Sequence, residues 1–568
     1  MLENSENVDR TAPATAERAF GPWNPGLESQ VPERLMHLCT LCRPENVFTS
    51  LATARELRDL TGLPYSEVIA FRPGRLALHE LMIRVSADFS VPDGSRVEDL
   101  GINFRDMVRT LLADIIEPRT QQIAATYAAV RTQLSKYIDD ELDRILPRAP
   151  ASNQATAPKP SGLRKWFMRA QPSDTAPARM SETEVIASWS ARAHHEENAL
   201  IRVACRALAR VVGALHVRHG HVWGGRDLVS ALVTDVACNE LASEEIGRLI
   251  APWLREAAAT HHYQLLPRQD HPVVMNTKGA SASGKSTIRP MQKRLAGEIG
   301  VCWSEFALIS PDIWRKQLID YASLGTAYKY GGALSGDELA IIDGKLDRYM
   351  AAKAQRGEMT HLLIDRFRFD SFAADSEEAG SNLLTRFGQI VYLFFMITPP
   401  ASLVERAWNR GLEVGRYKAV DDTLAHAVAA YSGMPQLFFT WIERSDKRVH
   451  FEFLDNSVSN GERPLTAAFG SNALLNVLDV RRLIEVRRYQ RIDVQARAPE
   501  ELFPDRSELA PEHNTRFLRD CVARFAEVNF ADQRSGRIYL RLERGRPVWV
   551  DGEALAQAAQ EADTRAGV

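Results

Sequence analysis

Residues 279–287 read Gly279-Ala280-Ser281-Ala282-Ser283-Gly284-Lys285-Ser286-Thr287, which meets the pattern G-x-x-x-x-G-K-[ST] at every position. The apolar run Val273-Val274-Met275 just before it predicts a short buried strand, and Ser286–Ala296 just after it predicts a helix. Strand, Gly-rich turn and helix are the setting in which this pattern cradles phosphate. The glycines let backbone N–H groups converge on phosphate oxygens, and the helix N-terminus adds its partial positive charge. In that setting Lys285 reaches the β- and γ-phosphates of a nucleotide, and the Ser286 hydroxyl ligates Mg²⁺. The expectation is ATP or GTP with Mg²⁺, and we take ATP, held by the nine residues Gly279 to Thr287.

Further along, four more apolar runs end in residues that carry chemistry. Phe306–Ile309 runs into Ser310-Pro311-Asp312. Serine suits a helix N-cap and proline the first helical position, which puts Asp312 in a first helical turn, where the dipole keeps a carboxylate ionised. An ionised Asp beside a γ-phosphate can orient or deprotonate a substrate hydroxyl; capping its own helix is the plainer alternative. His361–Ile364 ends in Asp365-Arg366. There Asp365 is read as a Mg²⁺ or substrate-hydroxyl ligand and Arg366 as substrate-binding, with structural pairing of Asp365 to Arg366 or Arg368 as the alternative. Ile390–Ile397 is continuously apolar, which predicts a central strand buried on both faces. It leads through Thr398-Pro399-Pro400 into a helix that places Arg406 and Arg410 on one face, before Gly415-Arg416. Such an arginine-bearing lid neutralises a transferring phosphoryl group; a solvated basic face is the alternative. Val449–Leu454, ending at Asp455-Asn456, is expected to close the sheet.

This order resembles the zeta-toxin and polynucleotide-kinase-like P-loop kinases over residues 270–460: P-loop, strand ending in S-P-D, strand ending in an acid, then strand-T-P-P and R-x-x-x-R-x-x-x-x-G-R. The resemblance is greatest to the plant-pathogen type III effector branch, which phosphorylates the adenosine-ribose 3′-hydroxyl of NAD. It implies an ATP-dependent kinase with Asp312 as base, Lys285 and Arg416 as catalytic cations, and Arg406 and Arg410 as phosphate contacts. The acceptor implied is a hydroxyl of a nucleotide-type small molecule, NAD first. A UDP-amino sugar or a polynucleotide 5′ end are the alternatives, and a non-catalytic ATP-binding regulatory module is the rival outside the enzymes. It also implies an antitoxin or chaperone partner and a toxin or effector role, with delivery into a host cell through a specialised system. Thr326–Arg356, where substrate should sit, departs from the family pattern.

The whole chain sets the limits. With 568 residues, two to four domains are expected. The expected fold is an α/β P-loop kinase domain, a mostly parallel sheet flanked by helices, preceded by a largely α-helical N-terminal half. The boundaries read as a disordered tail 1–32, a helical domain 33–147, a Pro/Ala/Ser linker 148–183 and a helical segment 184–265. The kinase domain follows at 266–458, then a mixed α/β extension 459–568 with a helix over Thr515–Glu527 and a hairpin over Ile538–Val550 turning near Gly545. A net charge of −3 provides no overall basic field for nucleic acid or an anionic membrane. Six scattered cysteines suggest a reducing compartment. The longest apolar run, Ile390–Ile397, is too short for a bilayer, and Met1–Pro32 has no apolar core of signal-peptide length, so a cytoplasmic protein is expected. Its polar, Ser/Thr/Ala-containing Glu3–Ala19 also has the composition of a type III secretion leader.

Other features carry less. Cys39-Thr-Leu-Cys42 with His37 has no second pair at zinc spacing, and His216, His219 and His221 have no fourth ligand. Arg164–Arg169 is a short basic-aromatic stretch inside the linker. Trp314 is expected to pack on the sheet, with stacking on a base as the alternative.

Overall fold

A computed structural model of the chain describes residues 20–146, 180–366, 387–459 and 461–568. Most of the tail and of the linker, the Arg164–Arg169 stretch and Arg368 therefore lie outside the described residues.

The N-terminal half is helical. Its α-helices are α1 (Leu51–Thr61), α2 (Pro73–Asp88), α3 (Asp99–Leu111), α4 (Thr120–Leu142), α5 (Glu182–His195), α6 (Ala199–His219) and α7 (Arg226–Thr260). Local chemistry sets several ends. Ser181 and Glu184 form a reciprocal capping box at the start of α5, and Asn198 caps α6. Helix α2 differs from the rest in that every residue from Leu76 to Ala87 is buried. A helix buried all round belongs inside a larger body. Here α2 packs against α7 on one side and against the α/β half on the other.

The α/β half is built on one ten-stranded sheet. In chain order it comprises β1 (Val273–Lys278), α8 (Arg289–Glu298), β2 (Phe306–Ile309), α9 (Arg315–Leu318), α10 (Gly331–Leu334), α11 (Gly336–Gln355), β3 (His361–Asp365), β4 (Ile390–Ile397), α12 (Pro400–Val414), α13 (Val420–Ile442) and β5 (Arg448–Asp455). These five strands are parallel, in the order β5-β4-β1-β3-β2. All six residues of β1 are buried, and β4 is buried along its second half, as continuous apolar runs demand.

The sheet does not close at β5. It continues through β6 (Leu465–Ser471), β7 (Leu474–Val477), β8 (Glu527–Ala531), β9 (Ile538–Glu543) and β10 (Arg546–Val550), with α14 (Val480–Arg488) and α15 (Arg516–Arg524) inserted after β7. Antiparallel β6 covers the edge of β5 that the sequence reading left open. Strands β6 and β7 read weakly because Leu-Thr-Ala-Ala-Phe-Gly-Ser and Leu-Leu-Asn-Val are short and rich in poor strand formers. The expected hairpin is present: Arg544 and Gly545 both have positive φ, as a two-residue turn between twisted strands requires.

One buried apolar cluster includes residues of both halves, from Leu41 to Leu542. Residues 20–32, expected to fray, are instead packed. Leu27, Val31, Leu35 and Leu38 lie on Ile319, Leu324 and Leu334, and the Lys329 ammonium donates to the Pro25 carbonyl at 2.7 Å. No helix among the described residues is long and apolar enough to cross a membrane.

Phe438 on α13 is fully buried at the centre of an aromatic cluster with Phe395, Phe451, Phe453, Phe517 and Phe525, which ties α13 and α15 to β4 and β5. Phe438→Ala should destabilise the protein by about 3–5 kcal/mol in denaturant unfolding.

Candidate active site

The Gly-rich loop leaves the carboxyl end of β1 and is fixed from two neighbouring strands. Thr398, just past β4, donates its hydroxyl to the Ser283 carbonyl at 3.2 Å, and Asn456, just past β5, donates to the same carbonyl at 2.7 Å. Two glycines are required by space. A Cβ on Gly279 would stand 2.5 Å from Ser283 Oγ and 2.8 Å from Met396 Cβ; one on Gly284 would stand 2.3 Å from Asn456 Nδ2. Gly284 and Ala282 both have positive φ, so the loop curls rather than extends. After Gly284 the chain makes a 3₁₀ turn over Lys285–Ile288 before α8 begins at Arg289, so the helix expected from Ser286 is α-helical only from its fourth residue. The Lys285 ammonium folds back across the loop, 3.1 Å from the Ala280 carbonyl. Thr287 returns its hydroxyl to Gly284 O at 2.6 Å.

Ser286 and Asp365 meet. The Ser286 hydroxyl donates to Asp365 Oδ2 at 2.9 Å, which joins the loop to the carboxyl end of β3. One hydroxyl and one carboxylate, both hard oxygen donors, suit Mg²⁺, which characteristically takes one or two protein oxygens and fills its octahedron with phosphate and water. Among the described residues no group of three or more His, Cys, Asp or Glu side chains could hold a metal. His216 instead faces Glu182 at 3.0 Å, and His219 faces the Leu60 carbonyl at 2.8 Å.

Asp312 lies beyond the end of β2, in the 3₁₀ turn Pro311–Trp314. Ser310 occupies the N-cap position, but its side chain makes no capping hydrogen bond. What holds the carboxylate is arginine. Arg416 Nη2 is 2.8 Å from Oδ2 and Arg315 Nε is 3.1 Å from Oδ1. The enclosure raises the cost of ionising Asp312, yet Arg416, then Arg315, Arg410 and Lys285, hold it well below the usual carboxylate range. Its side chain nevertheless keeps 52% of its exposure, so it lines an open cleft rather than a sealed core.

The lid splits its arginines. Arg416 follows Gly415, whose φ of 74° ends α12, and pairs with Asp312. Arg410 donates Nε to the Arg416 carbonyl at 3.3 Å and is pushed down to about 10 by burial and by Arg416. Arg406 turns elsewhere and donates to the Val458 carbonyl at 2.7 Å.

One expectation fails. Arg366 is 1% exposed and engaged with Asp343 and with Asp347 (2.6 Å), both on α11, so it is an internal cation rather than a substrate contact. Trp314 is packed in the interior as expected, fully buried with Nε1 on Ser86 Oγ at 3.0 Å, which leaves no face for the alternative of stacking on a base. The structure also adds residues that the sequence reading passed over. Arg315 sits one turn after Asp312, a spacing visible in the sequence. Lys418 is pushed down to about 7 by burial, against the pull of Asp422, and contacts His426 Nδ1 at 2.5 Å. Tyr321 places a buried hydroxyl, without a hydrogen-bond partner among the described residues, next to the arginines.

No family model matches the chain, and no curated protein matches it. Among solved structures, one from the PezAT chromosomal toxin-antitoxin system of Streptococcus pneumoniae is similar at 17% identity, over 37% of this chain and 76% of that one, with a TM-score of 0.23. An overlap that low carries no assignment of fold or function.

The ion cluster makes a prediction. Arg366→Ala would strand two buried carboxylates and should cost about 3–5 kcal/mol in denaturant unfolding, whereas loss of a ligand-contacting arginine would leave stability unchanged.

Proposed function

We propose that this chain is a Mg²⁺- and ATP-dependent phosphotransferase acting on a hydroxyl of a nucleotide-type small molecule, with NAD as the first candidate. The observation that carries the reading is the convergence on Asp312: Arg416 and Arg315 pair with it, and Lys285 of the Gly-rich loop lies close enough to depress its pKa. A phosphate-binding loop, an ionised acid and an arginine beyond a glycine hinge, brought together at one end of the sheet, are the parts that phosphoryl transfer needs.

In this reading Asp312 accepts the acceptor's hydroxyl proton as that oxygen bonds to the γ-phosphorus and the bond to the β–γ bridging oxygen breaks, leaving ADP. Lys285 leaves the carbonyls of Gly279 and Ala280 for the β- and γ-phosphates. Ser286 and Asp365 would hold Mg²⁺, which supplies positive charge against the phosphate oxygens when bound. Arg416 exchanges Asp312 for the transferring phosphoryl, pivoting at Gly415, and so frees the base and neutralises charge in one movement. The toxin or effector role and an antitoxin or chaperone partner follow from the family resemblance alone.

Transfer from γ-labelled ATP into NAD, NADP, UDP-N-acetylglucosamine, nucleosides and 5′-hydroxyl oligonucleotides tests the proposal. Label should enter one of them, NAD first. Lys285→Ala and Asp312→Asn should each lower transfer at least about 100-fold, with ATP still bound by Asp312→Asn. Because Asp312 in the unliganded protein titrates well below the ordinary carboxylate range, it stays ionised as pH falls, and kcat/KM should show no acid limb from it between about pH 8 and about pH 5. Binding of ATP without transfer to any acceptor would favour a regulatory module instead.

A further inference from the structure

The turn that carries Asp312 is too short to hold itself. It is a four-residue 3₁₀ segment, Pro311–Trp314, followed by the four residues of α9. Pieces of this length make too few internal hydrogen bonds to offset the cost of ordering them. Its support comes from residues more than 200 positions earlier, in the helical half.

That support reaches three points of the turn. Ile313 packs on α3 beside Gly101: a Cβ at Gly101 would stand 3.7 Å from the Ile313 Cβ, an ordinary van der Waals distance. Trp314, fully buried, donates its indole N–H to Ser86 Oγ at 3.0 Å, and Ser86 passes its own proton to the Met82 carbonyl at 2.9 Å. Arg75 donates Nη2 to the Leu318 carbonyl at 3.0 Å, at the end of α9. The same guanidinium grips Glu338 of α11 at 2.6 and 2.7 Å, and Glu338 also meets His79 Nε2 at 2.7 Å. Arg75, His79, Met82 and Ser86 follow i, i+4, i+7, i+11 spacing, so they form one stripe along α2. A serine in the last turn of a buried helix, bonded back to its fourth-previous carbonyl, does nothing for helix stability. Its partner across the interface is the Asp312 turn.

We infer that Ser86 and Arg75 are positioning residues for the reaction, through which the helical half fixes the Asp312 turn against the phosphate loop. This rests on the phosphotransferase reading. A misplacement of the base by about 1 Å is enough to cost about 100-fold in rate while leaving nucleotide contacts intact.

The test uses the full chain, with MgATP turnover to water as the acceptor-independent readout, nucleotide affinity by titration, and hydrogen–deuterium exchange across residues 311–318. Ser86→Ala and Trp314→Phe should each lower kcat about tenfold or more, with KM for ATP and nucleotide affinity within about twofold. Exchange should rise across Ile313–Leu318 but not across Gly279–Thr287. The double variant should be no worse than either single one, because both remove the same hydrogen bond, and Ser86→Thr, which keeps the hydroxyl, should recover turnover. Unchanged kcat and exchange in either folded variant would overturn the inference, as would KM rising in step with the loss of kcat. Asp312→Asn reports on the underlying reading. If it turns over like the unmodified protein, or if the unmodified protein binds ATP without transfer to water or to any of the acceptors above, the phosphotransferase reading fails and takes this inference with it. If it is inactive while the Ser86 and Trp314 variants are not, only the positioning role fails.

Discussion

The ion pair between Asp312 and Arg416 links the parts of the functional end to one another. Asp312 follows the edge strand β2, Arg416 follows the helix beyond the central strand β4, and the charge of Lys285 reaches Asp312 from the loop after β1. Without the carboxylate, Arg315, Arg410, Arg416 and Lys285 would repel one another in a confined cleft. Without the arginines, the carboxylate would lose the charges that hold its pKa below the usual range. Each side makes the other tolerable. The Asp312 side chain is half-exposed, and in the proposed reaction a bound triphosphate would bring the charge that takes over its arginines.

The second constraint is the seam between the halves. Helix α2 is buried all round, yet it carries Arg75, His79, Glu80, Arg84 and Ser86. Each of those polar groups has a partner, and most partners lie on other helices: Glu338 for Arg75 and His79, Ser243 for Glu80, Trp314 for Ser86. His79, pushed down to about 4 by burial and by Lys345, is neutral at ordinary pH, which lets Lys345 donate to its Nδ1 at 3.2 Å. A polar seam, even with Arg84 Nε left without a hydrogen bond among the described residues, is more demanding in geometry than a greasy one, because misregistry strands buried donors. It fixes the helical half and the sheet in one relative placement.

Much of this was legible in the sequence, and the reasons are specific. The loop, Asp365, Asp312 and Arg416 stood out because phosphate chemistry dictates residue type and spacing at the ends of strands, and the structure brings Ser286 to Asp365 and Arg416 to Asp312. The parallel strands were legible from their apolar runs, continuous in β4 and alternating with polar residues in β5. Strands β6 and β7 were missed because their support is tertiary: pairing with β5 and β8 makes strands of Ala- and Asn-containing segments that have little preference of their own. Arg366 was misassigned because its neighbour Asp365 faces the loop while Arg366 itself faces α11, and strand alternation past the last ladder residue is not readable from one chain. The Arg75–Ser86 stripe was invisible as function, since its partners Trp314 and Leu318 lie more than 200 residues away.

The most direct measurement of the central claim is a crystal structure with Mg²⁺ and a non-hydrolysable ATP analogue. The account predicts the triphosphate on Gly279–Thr287, the ion between Ser286 and Asp365, and Arg416 moved off Asp312 onto the γ-phosphate. An analogue bound elsewhere, or one bound on the loop with the Arg416–Asp312 pair still closed at 2.8 Å, would contradict it.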